Sequence, residues 1–381
     1  MIYYISNINI NSGQANVIQQ LKTTEAIGTL GVDIEFIHPS YKLFCQNDGE
    51  SAINKKYDIT NDLQITSLRT LPDYGKLGRA SAIIMTLVWI IRKLLFLQLG
   101  RKDILYIRCG NIHTVSIVLL LRMIPRYVSP KIFVEYHNTV QFTSPNLVQK
   151  VIDHVNGIVV ITHELNNKMM EDYDIDGVPV HVAPDGVDLN KYGTSKTSAR
   201  ARLNIPRSQK IVTYTGSFQE RKGVYILIEA SHDIEAKVLI VGADRSEVDK
   251  KKLNIDIPEN LEFRGNIAHR DVKYYQIASD ILVAPYTRES WMPSPLKLFE
   301  YMAAGNPIVA SDLQVLREVL NNNDNSLLTS PGNSKELANN VNRLLLNPSK
   351  MKNLASQALS DANCYTWEKR AEGILRFCIK H

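Results

Sequence analysis

Short runs rich in β-branched residues recur along this chain of 381 residues, and each is followed by a longer amphipathic stretch. Such an alternation of predicted strands and helices favours parallel sheets built from βαβ units. The runs form two series, which are 2–7, 32–38, 104–108, 132–136, 157–162 and 180–183, then 211–215, 238–242, 261–264, 281–285, 308–311 and 326–329. The sequence therefore predicts an α/β protein with two doubly wound domains.

The segment 184–210 separates the two series, and its glycines, prolines and polar residues are typical of a connection rather than a core. We accordingly predict a first domain over residues 1–186 and a second over 187–364, followed by a final helix over 365–381. In open parallel sheets ligands bind beyond the carboxyl ends of the strands. Two such domains that face each other are expected to enclose a cleft.

The charge of the chain is unevenly distributed, although the total is only +5. Residues 69–131 contain eleven lysines and arginines against two aspartates, an excess of nine positive charges. The rest of the chain must then carry a net charge of −4, so a basic surface on the first domain is expected. An anionic partner would match such a surface.

Cysteine usage favours a reducing compartment. Cys45, Cys109, Cys364 and Cys378 are widely spaced and form no CxxC pair, so neither a zinc site nor a disulfide framework is indicated. Met1 leads directly into the first predicted strand, without the features of a signal peptide. The longest apolar run is shorter than the roughly 20 residues of a membrane-spanning helix. We predict a cytoplasmic protein.

The segment 294–305 carries the signals of both ends of a short helix. Ser294 is a capping residue, Pro295 suits the first helical position, and a glycine ends the segment. Because the segment follows a predicted strand, its amino end is expected at the carboxyl edge of the sheet, where a helix amino end favours phosphate. Lys297 adds positive charge, and the Glu300 carboxylate suits paired sugar hydroxyls. A capped crossover helix with a surface glutamate is the alternative.

A glycine-bounded turn over 215–223 follows the first strand of the second domain and carries Arg221 and Lys222. A lysine at this edge can neutralise a diphosphate as a point charge. The turn lacks the GxGxxG and GxxxxGK[ST] patterns, so neither a dinucleotide fold nor a nucleoside-triphosphate loop is supported.

In the first domain, His137 follows a central strand beside Glu135, at the carboxyl edge of the sheet where ligands are expected to bind. A structural histidine is the alternative there.

In order and separation, these residues resemble those of the retaining glycosyltransferases of GT-B fold in family 4, also called glycosyl transferases group 1. The resemblance covers almost the whole chain and rests on Gly13, His137, 182–188, 216–223, 294–305 and 365–368. It implies two Rossmann-like domains that face each other across a cleft, with a final helix that crosses back to the first domain. It also implies that the second domain holds a nucleotide sugar and the first domain an acceptor.

The resemblance assigns catalytic roles to His137, Lys222 and Glu300. Lys222, helped by Arg221, would neutralise the diphosphate, Glu300 would hold the ribose hydroxyls, and His137 would approach the donor sugar. The donor-binding residues that the resemblance implies are Gly13, Gly216, Ser217, Arg221, Lys222, Ser294, Pro295, Leu296, Lys297 and Glu300. Positive charge and a helix end would stabilise the leaving diphosphate, so no metal and no cofactor are expected.

Two positions depart from the family pattern. Met292 stands where the family often has a carboxylate that contacts the donor hexose, and Glu289 is a candidate replacement. Ser217 stands where many relatives carry an arginine, whose charge Arg221 would supply instead. Two interpretations follow. One is an enzyme that moves a hexose-type sugar to a glycan or lipid-linked acceptor in surface polysaccharide or glycoconjugate biosynthesis, and the other is a non-catalytic nucleotide-sugar-binding subunit.

The basic segment also has two interpretations. Residues 80–99 form an apolar helix candidate flanked by basic residues, namely Arg79, Arg92, Lys93, Arg101 and Lys102. The resemblance implies a first domain that rests on the anionic inner face of the cell membrane, and an apolar helix with basic flanks suits that role. A buried helix with a solvated basic end is the alternative. Nucleic acid is not expected as a partner, because the segment lacks interleaved aromatic residues and a recognition motif.

Overall fold

The computed structural model describes residues 1–8, 10, 15–40, 53, 56–71, 76–96, 98–108, 112–125, 129–138, 144–250, 256–287 and 296–381. Internal contacts divide the chain into two compact units. The first unit comprises Met1–Asp185 together with Trp367–His381, and the second comprises Gly186–Thr366. Both units are α/β structures built on parallel sheets, which confirms the predicted fold class.

The first unit is built on a sheet of seven parallel strands in the order β3-β2-β1-β4-β5-β6-β7. The strands are β1 (Ile2–Ile5), β2 (Ile34–Ser40), β3 (Gln64–Arg69), β4 (Ile104–Arg108), β5 (Lys131–Tyr136), β6 (Gly157–Val160) and β7 (Val180–Val182). The central strands are buried, as expected when helices cover both faces of a parallel sheet. The order reverses direction between β1 and β4, and such a switch point is where ligands bind in open α/β sheets.

Six helices of the described part belong to the first unit. They are α1 (Ala15–Thr29), α2 (Lys76–Leu95), α3 (Ile112–Arg122), α4 (Pro145–Ile152), α5 (His163–Asp172) and the terminal helix α14 (Trp367–Lys380). The terminal helix packs against α1, and its buried side chains include Trp367, Ile374 and Cys378. Within the described ranges, no helix is both long enough and apolar enough to cross a membrane.

The strand β3 was not predicted from the sequence. This strand pairs with β2 over six residues, yet only Leu68 among its side chains is buried. A strand at the edge of a sheet needs few buried side chains, because its backbone hydrogen bonds to one neighbour hold it in place. The segment therefore lacks the apolar run from which the other strands were predicted.

The second unit has a six-stranded parallel sheet in the order β10-β9-β8-β11-β12-β13, and all six strands were predicted. They are β8 (Ile211–Thr215), β9 (Lys237–Val241), β10 (Leu261–Phe263), β11 (Ile281–Ala284), β12 (Ile308–Ser311) and β13 (Leu327–Thr329). The described helices are α6 (Lys196–Arg202), α7 (Val224–Ala230), α8 (Arg245–Lys250), α9 (His269–Ala278), α10 (Leu296–Ala303), α11 (Gln314–Arg317), α12 (Ser334–Leu345) and α13 (Pro348–Ala362). Short 3₁₀ helices span Leu189–Tyr192 and Glu220–Lys222.

The prediction that 184–210 is only a connection was wrong. The segment contains α6, whose Ala199 and Arg200 are buried in the second unit. Arg200 donates from Nε to the carbonyl of Ala278 at 2.9 Å and pairs through Nη2 with Asp280 at 2.8 Å. These partners satisfy a buried guanidinium, so a segment of polar composition forms part of the packed unit.

Candidate functional site

The turn after β8 begins at Gly216, which brings the backbone close to α10. Gly216 has a φ of 141° and donates its backbone N–H to the carbonyl of Val241 at 2.7 Å. A Cβ at this position would lie 2.9 Å from Tyr214 Oη and 3.3 Å from Lys297 Nζ. Glycine therefore permits both the backbone conformation and the close approach of Lys297.

The turn ends at Gly223, which lies between the 3₁₀ helix Glu220–Lys222 and α7. Gly223 has a φ of 64°, and a Cβ there would lie 1.6 Å from the carbonyl oxygen of Pro285. The backbone N–H of Thr287 donates to the carbonyl of Arg221 at 3.2 Å. The loops that follow β8 and β11 are thus held together at the carboxyl edge of the sheet.

Lys222 is fixed inside this turn. Its Nζ donates to the hydroxyl oxygen of Ser217 at 2.8 Å, while Arg221 donates from Nε to Gln219 Oε1 at 3.0 Å. Burial, together with the neighbouring charge of Arg221, lowers the pKa of Lys222 to about 8. Desolvated amines with cationic neighbours lose part of their charge near neutral pH, and a bound anion would restore it.

Lys297, in the first turn of α10, points its buried ammonium at two aromatic rings. Nζ lies 4.0 Å from the ring centroid of Tyr214 and 4.8 Å from that of Tyr286. Among the residues that the structure describes, Nζ has no hydrogen-bond acceptor. Burial and the charge of Lys222 hold the pKa of Lys297 well below its usual range, although Glu300 opposes the shift. The site therefore brings together two lysines whose charges repel.

Glu300 lies one turn further along α10, where α9 supplies its partners. Oε1 accepts from His269 Nε2 at 3.1 Å, and Oε2 accepts from Gln276 Nε2 at 3.0 Å. Burial opposes ionisation, but the bonds from His269 and Gln276 and the charge of Lys297 together lower the pKa of Glu300. Its side chain keeps 15% exposure. Glu300 is thus an anionic acceptor on the same helix as Lys297.

Most of the described donor-site residues predicted from the sequence lie near one another. Gly216, Ser217, Lys222 and Lys297 form a cluster at the carboxyl edge of the second sheet, with Leu296 at the start of α10. Arg221 and Glu300 flank the cluster. Gly13, Ser294 and Pro295 lie outside the described residues, as do Glu289 and Met292.

Four side chains of this site were not predicted from the sequence, namely Tyr214, Tyr286, His269 and Gln276. Tyr214 and Tyr286 lie in β8 and just after β11, so position at the end of a predicted strand is the signal that points to them. His269 and Gln276 lie on α9, and nothing in their local sequence indicates that they contact Glu300. Only the packing of α9 against α10 brings them together.

His137 lies in the first unit, directly after β5, and is buried against Glu135. His137 Nε2 hydrogen-bonds to Oε1 of Glu135, which also accepts from Arg370 Nη2 at 2.6 Å and Gln19 Nε2 at 2.9 Å. Burial, with the charge of Arg108, lowers the pKa of His137 even though Glu135 opposes the shift. A neutral histidine with one fixed partner can position a ligand group. Gln19 and Arg370 were not predicted from the sequence as part of this cluster.

The second unit has a recognisable family signature. Residues 195–361 match the family model described as glycosyl transferases group 1. This stretch lies inside the second unit and contains every described residue of the cationic cluster.

Curated relatives align at low identity. A D-inositol 3-phosphate glycosyltransferase of Rhodococcus jostii is 26% identical over 243 residues, which cover 60% of this chain and 53% of that protein. A phosphatidyl-myo-inositol mannosyltransferase of Mycobacterium leprae is 26% identical over 289 residues, with 73% of each chain covered. The chain thus spans about half the length of the first of these relatives.

Solved structures resemble the whole chain. Sucrose-phosphate synthase from Thermosynechococcus elongatus superposes with a TM-score of 0.74 at 18% identity, covering 100% of this chain and 98% of that one. Anabaena HepE in complex with UDP-glucose superposes with a TM-score of 0.73 at 17% identity, covering 100% of this chain and 99% of that one. At such identities the likeness shows the fold alone, which is the GT-B type with two Rossmann-like units.

Proposed function

We propose that this protein is a retaining glycosyltransferase of family 4 that moves a hexose-type sugar from a nucleoside diphosphate sugar to a glycan or lipid-linked acceptor. The observation that carries the proposal is the cluster of Lys222 and Lys297 at the carboxyl edge of the sheet of the second unit, within the residues that match the family model. Neither lysine forms an ion pair with a carboxylate in the described ranges, and each has a lowered pKa. A diphosphate would relieve the repulsion between the two charges.

The donor nucleoside would bind beside this cluster through Glu300. Each carboxylate oxygen of Glu300 accepts one hydrogen bond from α9 and can accept a further one. A ribose offers two adjacent hydroxyl donors, which suit the two oxygens of an ionised carboxylate. The structurally similar Anabaena HepE supports a nucleotide-sugar donor, since it has been solved in complex with UDP and with UDP-glucose.

The chemistry would rest on electrostatic stabilisation of the leaving group. Negative charge develops on the nucleoside diphosphate as the bond to the sugar breaks, and Lys222, Lys297 and Arg221 would offset it without a metal ion. The leaving diphosphate would take the proton of the acceptor hydroxyl as the new glycosidic bond forms. His137, in the acceptor-side unit, would contact the transferred sugar.

An acceptor at a membrane surface has independent support from α2. Leu77, Ile84, Val88, Ile91 and Leu95 are all exposed and recur at spacings of three, four and seven, so they share one face of the helix. The helix contains no acidic residue, and the exposed Arg79 and Arg92 add positive charge, while Lys93 pairs with Glu35 at 3.6 Å. We infer that this face lies on an anionic membrane, as apolar faces flanked by cations do. The phosphatidyl-myo-inositol mannosyltransferase relative bears a name that fits a lipid acceptor.

Vesicle sedimentation tests the membrane proposal. The protein should co-sediment at low salt with vesicles containing phosphatidylglycerol and not with pure phosphatidylcholine vesicles. The double variant Ile84→Ser and Ile91→Ser should lose this binding, whereas Leu346→Ser, which changes an exposed leucine of the second unit, should retain it. Absence of binding to anionic vesicles at low salt would contradict the proposal.

A ligand screen followed by a turnover assay tests the transferase proposal. A nucleotide that binds only the folded protein should raise its apparent melting temperature, and comparison of UDP, GDP, ADP and CMP identifies the base. The matching sugar nucleotide should then release nucleoside diphosphate steadily when an acceptor is supplied. Tight binding without release under the same conditions would favour the non-catalytic nucleotide-sugar-binding subunit.

A further inference from the structure

A fully buried carboxylate connects the terminal helix with His137. Glu135, at the end of β5, has no exposed surface, and four side chains donate hydrogen bonds to it. Gln19 Nε2 and Arg370 Nη2 donate to Oε1 at 2.9 and 2.6 Å, His137 Nε2 contacts the same oxygen, and the Tyr106 hydroxyl donates to Oε2. Convergence of so many donors requires the ionised carboxylate, which only accepts.

Arg370 of α14 supplies the positive charge that keeps Glu135 anionic. Its Nε donates to Thr23 Oγ1 at 3.1 Å, and its Nη1 donates to the backbone carbonyls of Ala183 and Pro184. Burial alone would raise the pKa of Glu135, but the charge of Arg370 and the contact with His137 hold it well below its usual range. Because a guanidinium stays protonated in proteins, the ion pair persists across the physiological pH range.

The ionised carboxylate selects the tautomer of His137. Since Glu135 cannot donate, the proton shared with His137 Nε2 must be carried by the histidine. Burial and the charge of Arg108 lower the pKa of His137, so at neutral pH the ring is neutral and Nδ1 keeps its lone pair. Among the described residues, Nδ1 has no hydrogen-bond partner. His137 is thereby a hydrogen-bond acceptor at its remaining nitrogen.

We propose that Arg370 is a positioning residue, which acts through Glu135 to hold His137 as the Nε2–H tautomer, so that Nδ1 accepts a hydrogen bond from a ligand hydroxyl. The ligand part of this inference rests on the proposed function, because a sugar supplies such hydroxyls. The arrangement discriminates by hydrogen-bond type. A hydroxyl can donate a hydrogen bond to Nδ1 of His137. A carbonyl or an ionised phosphate oxygen has no proton to donate, so its lone pairs would be repelled by the lone pair of Nδ1.

Several other groups face the Glu135–His137 pair and bear on its protonation. They are Tyr4 of β1, Tyr106 and Arg108 of β4, Asp185 after β7, and Gln19 of α1, whose amide oxygen accepts from Arg108 Nη1 at 2.8 Å. The positive charges of Arg108 and Arg370 both disfavour protonation of His137, which would add a third positive charge. Removal of Arg370 should therefore let His137 take up a proton to balance the buried carboxylate.

Nitrogen-15 NMR of histidine-labelled protein, without any substrate, tests the positioning step. The signals of His137 are assigned by their loss in His137→Gln. Wild-type protein should show a protonated Nε2 and an unprotonated Nδ1 at pH 7. Arg370→Met should raise the His137 pKa by at least one unit or mix the two tautomers, and Arg370→Lys should restore the wild-type pattern. Thr23→Val removes a contact of Arg370 while keeping its charge, so it serves as the matched control.

Two NMR results would each overturn the inference. One is an Nδ1–H tautomer in wild-type protein, which needs no variant and so remains decisive if Arg370→Met fails to fold. The other is an Arg370→Met spectrum in which both the tautomer and the pKa of His137 match wild type.

Kinetics separate this inference from the proposed function. If wild-type protein turns over a sugar nucleotide, Arg370→Met should lower kcat at least tenfold near neutral pH with little change in donor KM, and Arg370→Lys should recover most of the rate. An unchanged kcat and pH profile in Arg370→Met would contradict the positioning role. Absence of turnover in wild-type protein with every donor would instead count against the proposed function, while the NMR result stands by itself.

Discussion

The ammonium of Lys222 donates a hydrogen bond to the hydroxyl of Ser217 across the turn that joins β8 to α7, with 2.8 Å between Nζ and Oγ. A serine cannot neutralise the lysine as a carboxylate would, so the contact orients the ammonium and leaves its charge available to a ligand. The charge in this turn consequently rests on Arg221 and Lys222.

Replacement of Lys222 by alanine should weaken the binding of a nucleoside diphosphate by about 10- to 100-fold, because a charge-assisted contact to phosphate is lost. Isothermal titration calorimetry measures the effect. Lys210, which is exposed and precedes the same strand at its opposite end, provides the matched control Lys210→Ala. Wild-type affinity in Lys222→Ala would remove the residue from the site.

The affinity for a nucleoside diphosphate should fall as the pH rises above about 8, because Lys222 loses its charge there. A bound diphosphate raises this pKa, so the decline should extend to higher pH in the complex. Lys222→Arg keeps its charge throughout and should flatten the decline between pH 7.5 and 9. Identical pH profiles for wild type and Lys222→Arg would show that another group controls binding.

Loss of the Glu300 carboxylate should weaken the binding of a nucleoside and of its diphosphate to the same degree, by roughly tenfold, because both contain the ribose. The variant to test is Glu300→Ala, with the exposed Glu259→Ala as the control, and competition binding gives the affinities. An affinity loss that appears only with the complete sugar nucleotide would assign Glu300 to the sugar instead.

Gly223→Ala should destabilise the protein far more than Gly177→Ala, although both glycines have positive φ values of 64° and 79°. A Cβ at Gly223 would collide with the Pro285 carbonyl, whereas nothing lies within 4 Å of a Cβ at Gly177. The backbone conformation alone costs about 1 kcal/mol at either site, and the collision should add about 2 kcal/mol or more at Gly223. Urea unfolding compares the two. Equal losses in the free energy of unfolding would indicate that the loops after β8 and β11 can move apart to accommodate the new methyl group.

Acidification should destabilise the folded protein through His38 and His113. Burial lowers the pKa of each to about 4, so the unfolded chain takes up protons near pH 6.5 that the folded chain does not. The contribution of the two neutral histidines to the free energy of unfolding is fully present above that pH. The free energy of unfolding should fall by roughly 2 kcal/mol per histidine between pH 7.5 and 5.

Urea unfolding at the two pH values checks this loss. His38 hydrogen-bonds through its two ring nitrogens to the Pro39 carbonyl and the Ser67 hydroxyl, so His38→Asn should remove part of the pH dependence. His232→Asn changes an exposed histidine and should leave the pH dependence unchanged. A pH dependence that is the same in His38→Asn and wild type would show that this histidine ionises freely in the folded state.

The sequence was informative wherever local chemistry and local structure agree. Parallel strands buried on both faces must be apolar, so twelve of the thirteen strands in the described part of the chain could be found from their apolar runs. The turn around Lys222 carries its own glycines and cations, and it lies directly after a predicted strand. By contrast, β3 is held at a sheet edge by backbone bonds, and α6 buries an arginine, two of whose four acceptors lie 78 and 80 residues away. Neither leaves a local pattern.

What the sequence determined by itself is the α/β class, the two series of strands and the residue types at the carboxyl edge of each sheet. These follow from the spacing of apolar residues and from the conformations that only glycine and proline favour. The tertiary structure alone decided which groups meet across long separations, such as Arg370 and Glu135, 235 residues apart. The physical reason is that burial changes the cost of charge. A carboxylate, a lysine or a histidine acquires its ionisation and its hydrogen-bonding role from the groups packed around it, and a linear pattern does not specify those groups.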